Sequence, residues 1–303
     1  MRFPSNCPLC RSRVKSPSIV TKHIYGDKSR SKSFYICSSC DVRFMFPRLT
    51  PLQEKIFYKK EFEGFMNKRA GNSQGWLNAE EHVKKNKTTF ERRFKYIKKH
   101  LKKNSDILEI GCSSGFMLYP LRKLGHKCHG IEPSGYFEKY LKRKKINTYK
   151  TLDILLKKNI KFDLIIHFFV LEHISEPLDF LKKLISLLKK KGKIIFEIPN
   201  VAEPLHTIYT IKEFEKFYWS IAHPWYFNEK SLKFLMNKLS KKYNIELDQR
   251  YDLSNHLNWI INGKPGGMKK FSHLLGKNLE RQYKNKLLKS KKCDTLIGII
   301  NNG

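Results

Sequence analysis

The sequence lacks any run approaching the roughly eighteen uninterrupted apolar residues that a membrane-spanning helix needs. Its longest apolar runs, around 164–170 and 194–198, have the length of strands. It lacks an apolar segment behind the opening Met-Arg-Phe-Pro-Ser-Asn-Cys, so no secretory signal is expected and the chain is placed in the cytoplasm. It has little acid: 27 Asp and Glu stand against 61 Lys and Arg, a formal charge of +34. Little of that base is arginine, with 13 residues against 48 lysines. Surfaces that read phosphates or bases lean on arginine forks. Here the lysines are scattered in pairs and triplets (Lys102-Lys103, Lys144-Lys145, Lys189 to Lys191) on the polar faces and ends of expected helices. The charge therefore allows a nucleic-acid partner without favouring one. No internal repeat is present. Hydrophobic residues make up 40%, enough for a packed core and against wholesale disorder.

What is present begins with seven cysteines. In a reducing compartment, paired cysteines point to metal rather than disulfide. Cys7-Pro-Leu-Cys10 and Cys37-Ser-Ser-Cys40 are two such pairs, 26 residues apart. Each pair can turn two thiolates toward one ion, and two pairs complete a tetrahedron. The expectation is a structural Zn2+ held by Cys7, Cys10, Cys37 and Cys40, with no open position for chemistry. Between the pairs, Ile19-Val20, His23-Ile24-Tyr25 and Phe34-Tyr35-Ile36 predict a two-strand ribbon too small to hold without metal. Cys112, Cys128 and Cys293 read as packing residues. The organisation expected is a zinc-ribbon-like module over 1–49, a helical bridge over 50–103, and one larger domain over 104–303 with an insertion at 252–292. The bridge carries an amphipathic stripe of Phe90, Phe94, Ile97 and Leu101, and a loop at 71–75.

From residue 104 strand and helix alternate, the mark of an α/β fold with a doubly wound, Rossmann-like parallel sheet covered on both faces. Strands are expected at 106–110, 127–131, 148–149, 162–168 and 193–198. The helices between them run up to Leu124, from a Ser134 cap to about 145, and over 177–190, where Gly192 closes the last. A helix starting at Asn228 should bury Leu232, Leu235, Met236 and Leu239, and later strands are expected at 245–247 and 295–300.

Ile107-Leu108-Glu109-Ile110-Gly111-Cys112-Ser113-Ser114-Gly115 joins the first of these strands to its helix. Its glycines let the backbone approach a ligand closely. Glu132 follows 21 residues after Gly111, at the end of the second strand, where a carboxylate can accept from ribose hydroxyls. A dinucleotide would need G-x-G-x-x-G to seat its pyrophosphate, but Ser113 and Phe116 stand at the second and third glycine positions. S-adenosylmethionine has no phosphate, and Glu109-x-Gly111-x-x-x-Gly115 with Glu132 meets its needs. The cofactor-binding set expected is Glu109, Gly111, Cys112, Ser113, Gly115, Glu132, Pro133, Asp153, His167 and Phe168.

At these residues the chain resembles the class I S-adenosylmethionine-dependent methyltransferases. Leu108 to Gly115, Glu132-Pro133-Ser134 and Phe162-Asp163-Leu164-Ile165 are similar to that family's glycine turn, acidic strand end and fourth-strand entry. Val170-Leu171-Glu172-His173-Ile174 resembles the segment of a subgroup that includes ubiquinone-type O-methyltransferases and sugar C-methyltransferases. The N-terminal Cys-x-x-Cys module resembles that of sugar C-methyltransferases and of methyltransferases from polysaccharide gene clusters. The resemblance implies a small-molecule acceptor, sugar-derived or linked to a lipid or polysaccharide. In the ubiquinone-type branch a Glu three positions before the Glu-His pair helps hold a metal. Here that position is Phe169, so the resemblance implies no catalytic metal.

Methyl transfer is an in-line displacement that must align the acceptor and remove its proton. His173 follows the fourth strand at the sheet's carboxyl edge and titrates near neutrality, which suits a general base. Glu172 could orient it, and His223, in the aromatic segment His223-Pro224-Trp225-Tyr226-Phe227, is the third catalytic candidate. Bracing of the next helix and an aromatic packing corner are the plain alternatives for these residues. Asn255, His256 and Trp259 are weighed as an acceptor pocket within the insertion, against a plain surface role. Two other functions stay open: an RNA methyltransferase gripping its substrate through the basic face, and a non-catalytic scaffold. The scaffold has no use for Glu109 and Glu132.

Overall fold

In the computed structural model, which describes residues 3–70 and 78–303, the N-terminal segment forms β1 (Ser18–Thr21), β2 (Ser33–Ile36) and β3 (Arg43–Phe46), paired antiparallel in that order. The sheet does not end there. β9 (Trp225–Tyr226) adds to β3, with Phe44 opposite Trp225 and Arg43 opposite Tyr226. The two-strand ribbon expected from the sequence is thus a four-strand sheet completed by a distant segment. Its buried residues Cys7, Leu9, Val42 and Phe44 share one apolar cluster with Leu232, Leu235 and Met236.

The bridge folds as helices: α1 (Pro51–Ile56), a π-helical turn over Phe57–Glu61, α2 (Phe62–Ala70), α3 (Ala79–Lys85) and α4 (Lys87–Ile97). Thr50 and Gln53 exchange side-chain and backbone hydrogen bonds in a capping box that starts α1. The loop expected at 71–75 lies outside the described residues. The stripe on α4 packs as predicted, with Ile97 fully buried and Phe90, Phe94 and Leu101 against the same cluster.

The larger sheet is built from β4 (Asp106–Ile110), β5 (Lys127–Ile131), β6 (Asn147–Tyr149), β7 (Phe162–Phe168), β8 (Leu188–Pro199), β10 (Lys242–Asp248) and β11 (Thr295–Asn301), in the order β10-β11-β8-β7-β4-β5-β6. All neighbours are parallel except β11, which runs antiparallel to both β8 and β10. Side chains alternate between faces with period two. Ile107, Leu164, Ile166 and Ile195 face α4, α5 (Leu118–Lys123) and α6 (Glu138–Arg143). Leu108, Ile165, Ile194 and Phe196 face α8 (Pro177–Ser186) and α11 (Glu229–Asn237), with the short α7 (Leu152–Leu156) beside them. After β4 the chain winds outward through β5 and β6, then crosses to β7 on β4's other side. The crevice at the carboxyl ends of β4 and β7 is the switch point where open α/β sheets bind ligands. Beyond β8 come α9 (Pro204–Thr207) and α10 (Lys212–Tyr218), and between β10 and β11 lie α12 (Leu253–Asn262) and α13 (Ser272–Lys289). Among the described residues no helix is long and apolar enough to cross a membrane.

Two expected boundaries moved. The helix over 177–190 stops at Ser186, and Leu188 already pairs with Phe162. The chain bulges before Lys193 meets Leu164, and Gly192 is required there because a Cβ would lie 2.9 Å from the carbonyl oxygens of Lys189 and Phe162. The bulge delivers the Lys189 ammonium to Asp106 and Asp163, 2.8 Å from the latter. Ser134 caps no helix: α6 begins at Glu138, and the Ser134 hydroxyl donates to Glu132 at 2.7 Å.

Candidate active site

The glycine turn folds because three residues within five adopt left-handed backbone: Gly111, Ser113 and Gly115, at φ +71°, +47° and +73°. A Cβ on Gly115 would come within 2.5 Å of Leu141. The amides of Gly111 and Cys112 donate to the carbonyl of Ile131, which ties the turn to the end of β5. That places Glu132 beside it. One Glu132 oxygen accepts from the Ser113 amide at 2.8 Å, and the other accepts from the Ser134 amide and hydroxyl at 3.0 and 2.7 Å. A small cleft opens next to this carboxylate, lined by Glu132, Gly135, Glu138, Leu141, Thr148, Tyr149 and Lys150. Beneath the turn Glu109 is buried, and among the described residues its Oε2 has no hydrogen-bond partner; neither does the Ser113 hydroxyl. Burial raises the Glu109 pKa well above the ordinary carboxyl range against the pull of Arg93, with Glu132 adding to the rise. Buried polar atoms left unpaired are uncommon in proteins, and here two of them flank one turn.

Other members of the expected cofactor set stand apart. His167 falls on the opposite face of β7, stacked on Phe196 at 4.9 Å and edge-on to Phe180, so it is a packing residue, and burial holds its pKa down to about 3. The Cys112 thiol points behind the turn, where Gly130 makes room for it: a Cβ at 130 would lie 2.4 Å from the sulfur. Asp153 is an exposed residue of α7, paired with Lys183 at 3.2 Å. Phe168 lies under the Arg93 guanidinium at 4.2 Å, and Pro133 is exposed beyond Glu132.

Past β7, Phe169 takes a left-handed backbone (φ +56°) and a 3-10 turn, Leu171–His173, carries the Glu-His pair into the crevice. His173 Nδ1 lies 2.8 Å from the carbonyl of Ala222 and 3.2 Å from the Tyr58 hydroxyl, which itself donates to that carbonyl at 3.1 Å. The carbonyl partner assigns the proton to Nδ1 and leaves Nε2 as the acceptor. Burial pulls the His173 pKa down to about 4, with the Ala222 carbonyl opposing and Arg69 adding to the fall. His223 stands edge-to-face against it at 4.5 Å, its Nδ1 without a partner among the described residues. The Glu172 carboxyl is buried with both oxygens unpaired among the described residues, and burial pushes its pKa up to about 8. Ligand atoms of Glu172, His173 and His223 lie within 4.8 Å of one another. The three candidates predicted from the sequence are therefore one cluster, and its carboxylate and two imidazoles form a donor set that suits a divalent cation.

These shifts carry a stability signature. Between pH 4.5 and about 8 the folded chain keeps a proton on Glu172 that the unfolded chain releases, so stability falls as pH rises. Between about 4 and 6.5 the unfolded chain binds a proton that folded His173 refuses, so stability rises with pH. Above pH 6.5 the histidines no longer contribute, and the raised carboxyls, Glu203 with a pKa of about 8 among them, continue to lower stability as pH rises. Thermal melts are expected to peak near pH 6.5 and decline toward pH 8. Glu172→Gln should flatten part of that decline; an unchanged pH profile would place an ionised carboxylate at Glu172.

The cysteines meet as the spacing predicts. Cys7 and Cys40 sulfurs are 3.7 Å apart, and Cys10 and Cys37 3.6 Å. Sulfurs at about 2.3 Å from a tetrahedral zinc would be about 3.8 Å apart. The two pairs use the same turn. Arg11 and Asp41, each four residues after the first cysteine, have φ of +67° and +64° and donate their amides to the carbonyls of Cys7 and Cys37. The four thiols are compatible with a zinc ion.

Several residues escaped the sequence reading. Tyr58 reaches His173 from the bridge, and Arg93 of α4 pairs with Glu197 at 2.8 Å beside Glu109. His82 of α3 contacts the Ser114 hydroxyl at 2.8 Å. No local pattern marks them, since each acts through a partner distant in sequence. Asn255 and His256 are tied into packing, by the Gly266 carbonyl and the Tyr283 hydroxyl at 2.5 Å each, and Trp259 packs against Phe214.

A model of the methyltransferase domain matches residues 79–239, more than half of the chain. The chain belongs to the methyltransferase domain family. The match begins with α3 and ends just beyond α11, leaving the four-cysteine segment and α12 and α13 outside it. A ubiquinone biosynthesis O-methyltransferase of Pelagibacter ubique (strain HTCC1062) is 32% identical over 96 residues, 30% of this chain and 40% of that protein. One of Coxiella burnetii (strain Dugway 5J108-111) is 26% identical over 160 residues, 50% of this chain and 66% of that one. The chain thus spans less than two thirds of these curated relatives. A solved SAM-dependent methyltransferase from Archaeoglobus fulgidus shares the fold: TM-score 0.51 at 17% identity, covering 80% of this chain and all of that one.

Proposed function

We propose that the chain moves a methyl group from S-adenosylmethionine to a small-molecule acceptor, a sugar-derived or a lipid- or polysaccharide-linked precursor. One observation carries this reading: at the switch point of a methyltransferase-family sheet, a glycine turn lacking the dinucleotide pattern holds Ser113 against a pre-oriented Glu132 and above a Glu109 that, like the Ser113 hydroxyl, is unpaired among the described residues. Gly111 and Gly115 keep side chains away from the cofactor, and Glu132 accepts from its ribose hydroxyls. Glu109 and the Ser113 hydroxyl offer the partners its amino-acid end requires. When bound, S-adenosylmethionine supplies a methyl on a sulfonium, whose carbon–sulfur bond breaks as the acceptor attacks. His173 Nε2 takes the acceptor's proton, and Tyr58 and the Ala222 carbonyl hold its ring. Glu172, protonated at neutral pH, donates a hydrogen bond to the acceptor. Support for a hydroxyl as the attacking group comes from the curated relatives, which are O-methyltransferases by name. The four-cysteine centre holds a structural zinc.

Titration with S-adenosylhomocysteine should show saturable binding, and methyl-labelled S-adenosylmethionine should label a member of a panel of sugar phosphates and phenols. No binding to the folded chain would end this reading. In the labelling assay His173→Asn is expected to lower turnover by about 10² to 10⁴ while S-adenosylhomocysteine affinity stays near wild type. Equal loss of both would make His173 a structural brace.

A further inference from the structure

Helix α12 is amphipathic the wrong way round. Its sequence sets Leu253, Leu257, Ile260 and Ile261 at i, i+4, i+7 and i+8, one continuous aliphatic stripe. A helix lying on a domain turns such a stripe to the core. Here the buried residues are Ser254, Asn255, His256, Asn258 and Trp259, from the other side of the helix. Ile260 is 44% exposed and Ile261 63%, with Leu253 and Leu257 half-buried. The polar side is held by the chain that follows. The Lys264 and Gly266 carbonyls accept from the side-chain amides of Asn258 and Asn255, at 2.9 and 2.5 Å. The Phe271 amide donates to the Ser254 hydroxyl at 3.1 Å, and the Lys269 amide to Asp252 at 2.8 Å. The loop therefore runs back along α12 to its first turn, where Glu280 of α13 accepts from the Leu253 amide at 2.8 Å. This hook is about 15 Å long, the length of its ten helical residues. It carries two more exposed apolar side chains, Met268 at 47% and Leu274 at 76%.

An exposed apolar patch of this kind marks contact with a protein or a membrane, and charge decides between them. Residues 252–292 hold nine lysines and Arg281 against Asp252 and Glu280, a net charge of +8. Both acids are used inside the hook, Asp252 on the Asn255 and Lys269 amides and Glu280 on that of Leu253. Lys284 and Lys291 pair with Asp248 and Glu229, and the other seven lysines make no ion pair among the described residues. Protein interfaces enrich aromatic side chains and arginine and deplete lysine. This surface has the opposite composition: isoleucine, leucine and methionine among lysines. Anionic headgroups need only point charges, and a lysine can lay its stem on apolar surface while its ammonium stays in water. Nor does the shared fold account for the hook, which lies outside the residues that match the methyltransferase family.

We propose that the hook formed by α12, the loop over 263–271 and the start of α13 docks the protein on an anionic lipid bilayer. The aliphatic stripe enters the interface and the lysines meet the headgroups. α12 follows the carboxyl end of β10, which runs parallel to β8 because β11 opposes both. The hook thus leaves the sheet at the edge that carries the Glu172–His173 turn. That placement suits the lipid-linked class of acceptor; this consequence rests on the methyl-transfer reading, and the docking itself does not.

The test is cosedimentation of the full chain with two kinds of vesicle, phosphatidylcholine alone and an equal mixture of phosphatidylcholine and phosphatidylglycerol. The mixed vesicles should bind it saturably and the neutral ones should not. Ile260→Gln with Ile261→Gln should weaken binding about tenfold or more, since the apolar contact is lost. Lys264→Gln with Lys269→Gln should weaken it about tenfold through lost attraction to the headgroups. Lys139→Gln with Lys142→Gln removes the same charge from exposed positions of α6 and should leave binding near wild type. Wild-type melting temperatures show that the variants fold. No binding of the mixed vesicles by the wild type overturns the proposal. So does unchanged binding in the isoleucine variant, which would leave the net charge of the whole chain as the cause. A dimer in analytical ultracentrifugation that the isoleucine variant turns into a monomer also overturns it, giving the stripe to a second copy. None of these measurements uses S-adenosylmethionine or its product, so the docking and the cofactor reading fail separately.

Discussion

Replacing Cys40 by serine is expected to abolish methyl transfer, although no cysteine of its cluster touches the reacting groups. Loss of a structural metal centre is among the few single changes that cost on the order of 4 kcal/mol or more. Here the damage would not stay at the N-terminus. The sheet that the cysteines anchor continues into β9, and the Met45 amide donates to the Pro224 carbonyl at 3.0 Å. Tyr25 exchanges hydrogen bonds with Trp219 and Ile221 at 2.7 and 3.0 Å. The segment so laced down includes the Ala222 carbonyl that orients His173, and His223 itself. The cradle of Gly111 to Glu132 lies on other strands. The expected pattern is a chain without stoichiometric zinc, a sharply lowered melting temperature, lost turnover, and S-adenosylhomocysteine affinity reduced far less than turnover. Metal analysis, thermal unfolding and calorimetry read the three. A zinc-free variant that melts and turns over like the wild type would sever the sheet from the chemistry.

Glu132→Ala should lower S-adenosylhomocysteine affinity by about 30-fold to 1,000-fold, corresponding to about 2 to 4 kcal/mol of lost charge-assisted hydrogen bonding. The carboxylate is fixed before any ligand arrives, with one oxygen on the Ser113 amide and the other on Ser134. Its remaining lone pairs cost no reorganisation to use, and that preorganisation makes the loss large. The substitution also frees the Ser113 amide, and Ser113 holds a left-handed backbone without being glycine. Glu132→Gln separates the effects, since its amide oxygen can still accept from Ser113 while the charge is gone. Calorimetry on both variants, beside an unchanged far-ultraviolet spectrum, is the measurement. Wild-type affinity in Glu132→Ala would remove Glu132 from the cofactor site.

The strands of the large sheet were legible because parallel strands buried on both faces read as short apolar runs, and β4, β5 and β7 have the bounds the sequence predicts. The cysteine pairs were legible because thiolate geometry dictates their spacing. What was hidden depends on distance in sequence or on the phase of a strand. His167 ends the right strand but on the wrong face, a matter of one residue in a period of two. Lys189 and Gly192 look like a helix end because lysine and glycine are common there, whereas a bulge uses both. Two residues of β9 are too few for any pattern to announce. Tyr58 meets His173 across 115 residues, and no local rule reaches that far.

The position of β9 also bears on how the chain is born. The four cysteines and β1 to β3 leave the ribosome before β4 to β8, so the four thiols can meet while most of the larger sheet is unmade. Yet β3 then keeps a bare edge through the synthesis of β4 to β8, until Trp225–Tyr226 emerges. An unpaired edge invites pairing with other chains. The nascent protein thus spends much of its synthesis with that edge open, and the strand that closes it brings His223 into register with His173. Sealing the vulnerable edge and assembling the cluster of Glu172, His173 and His223 become one late event.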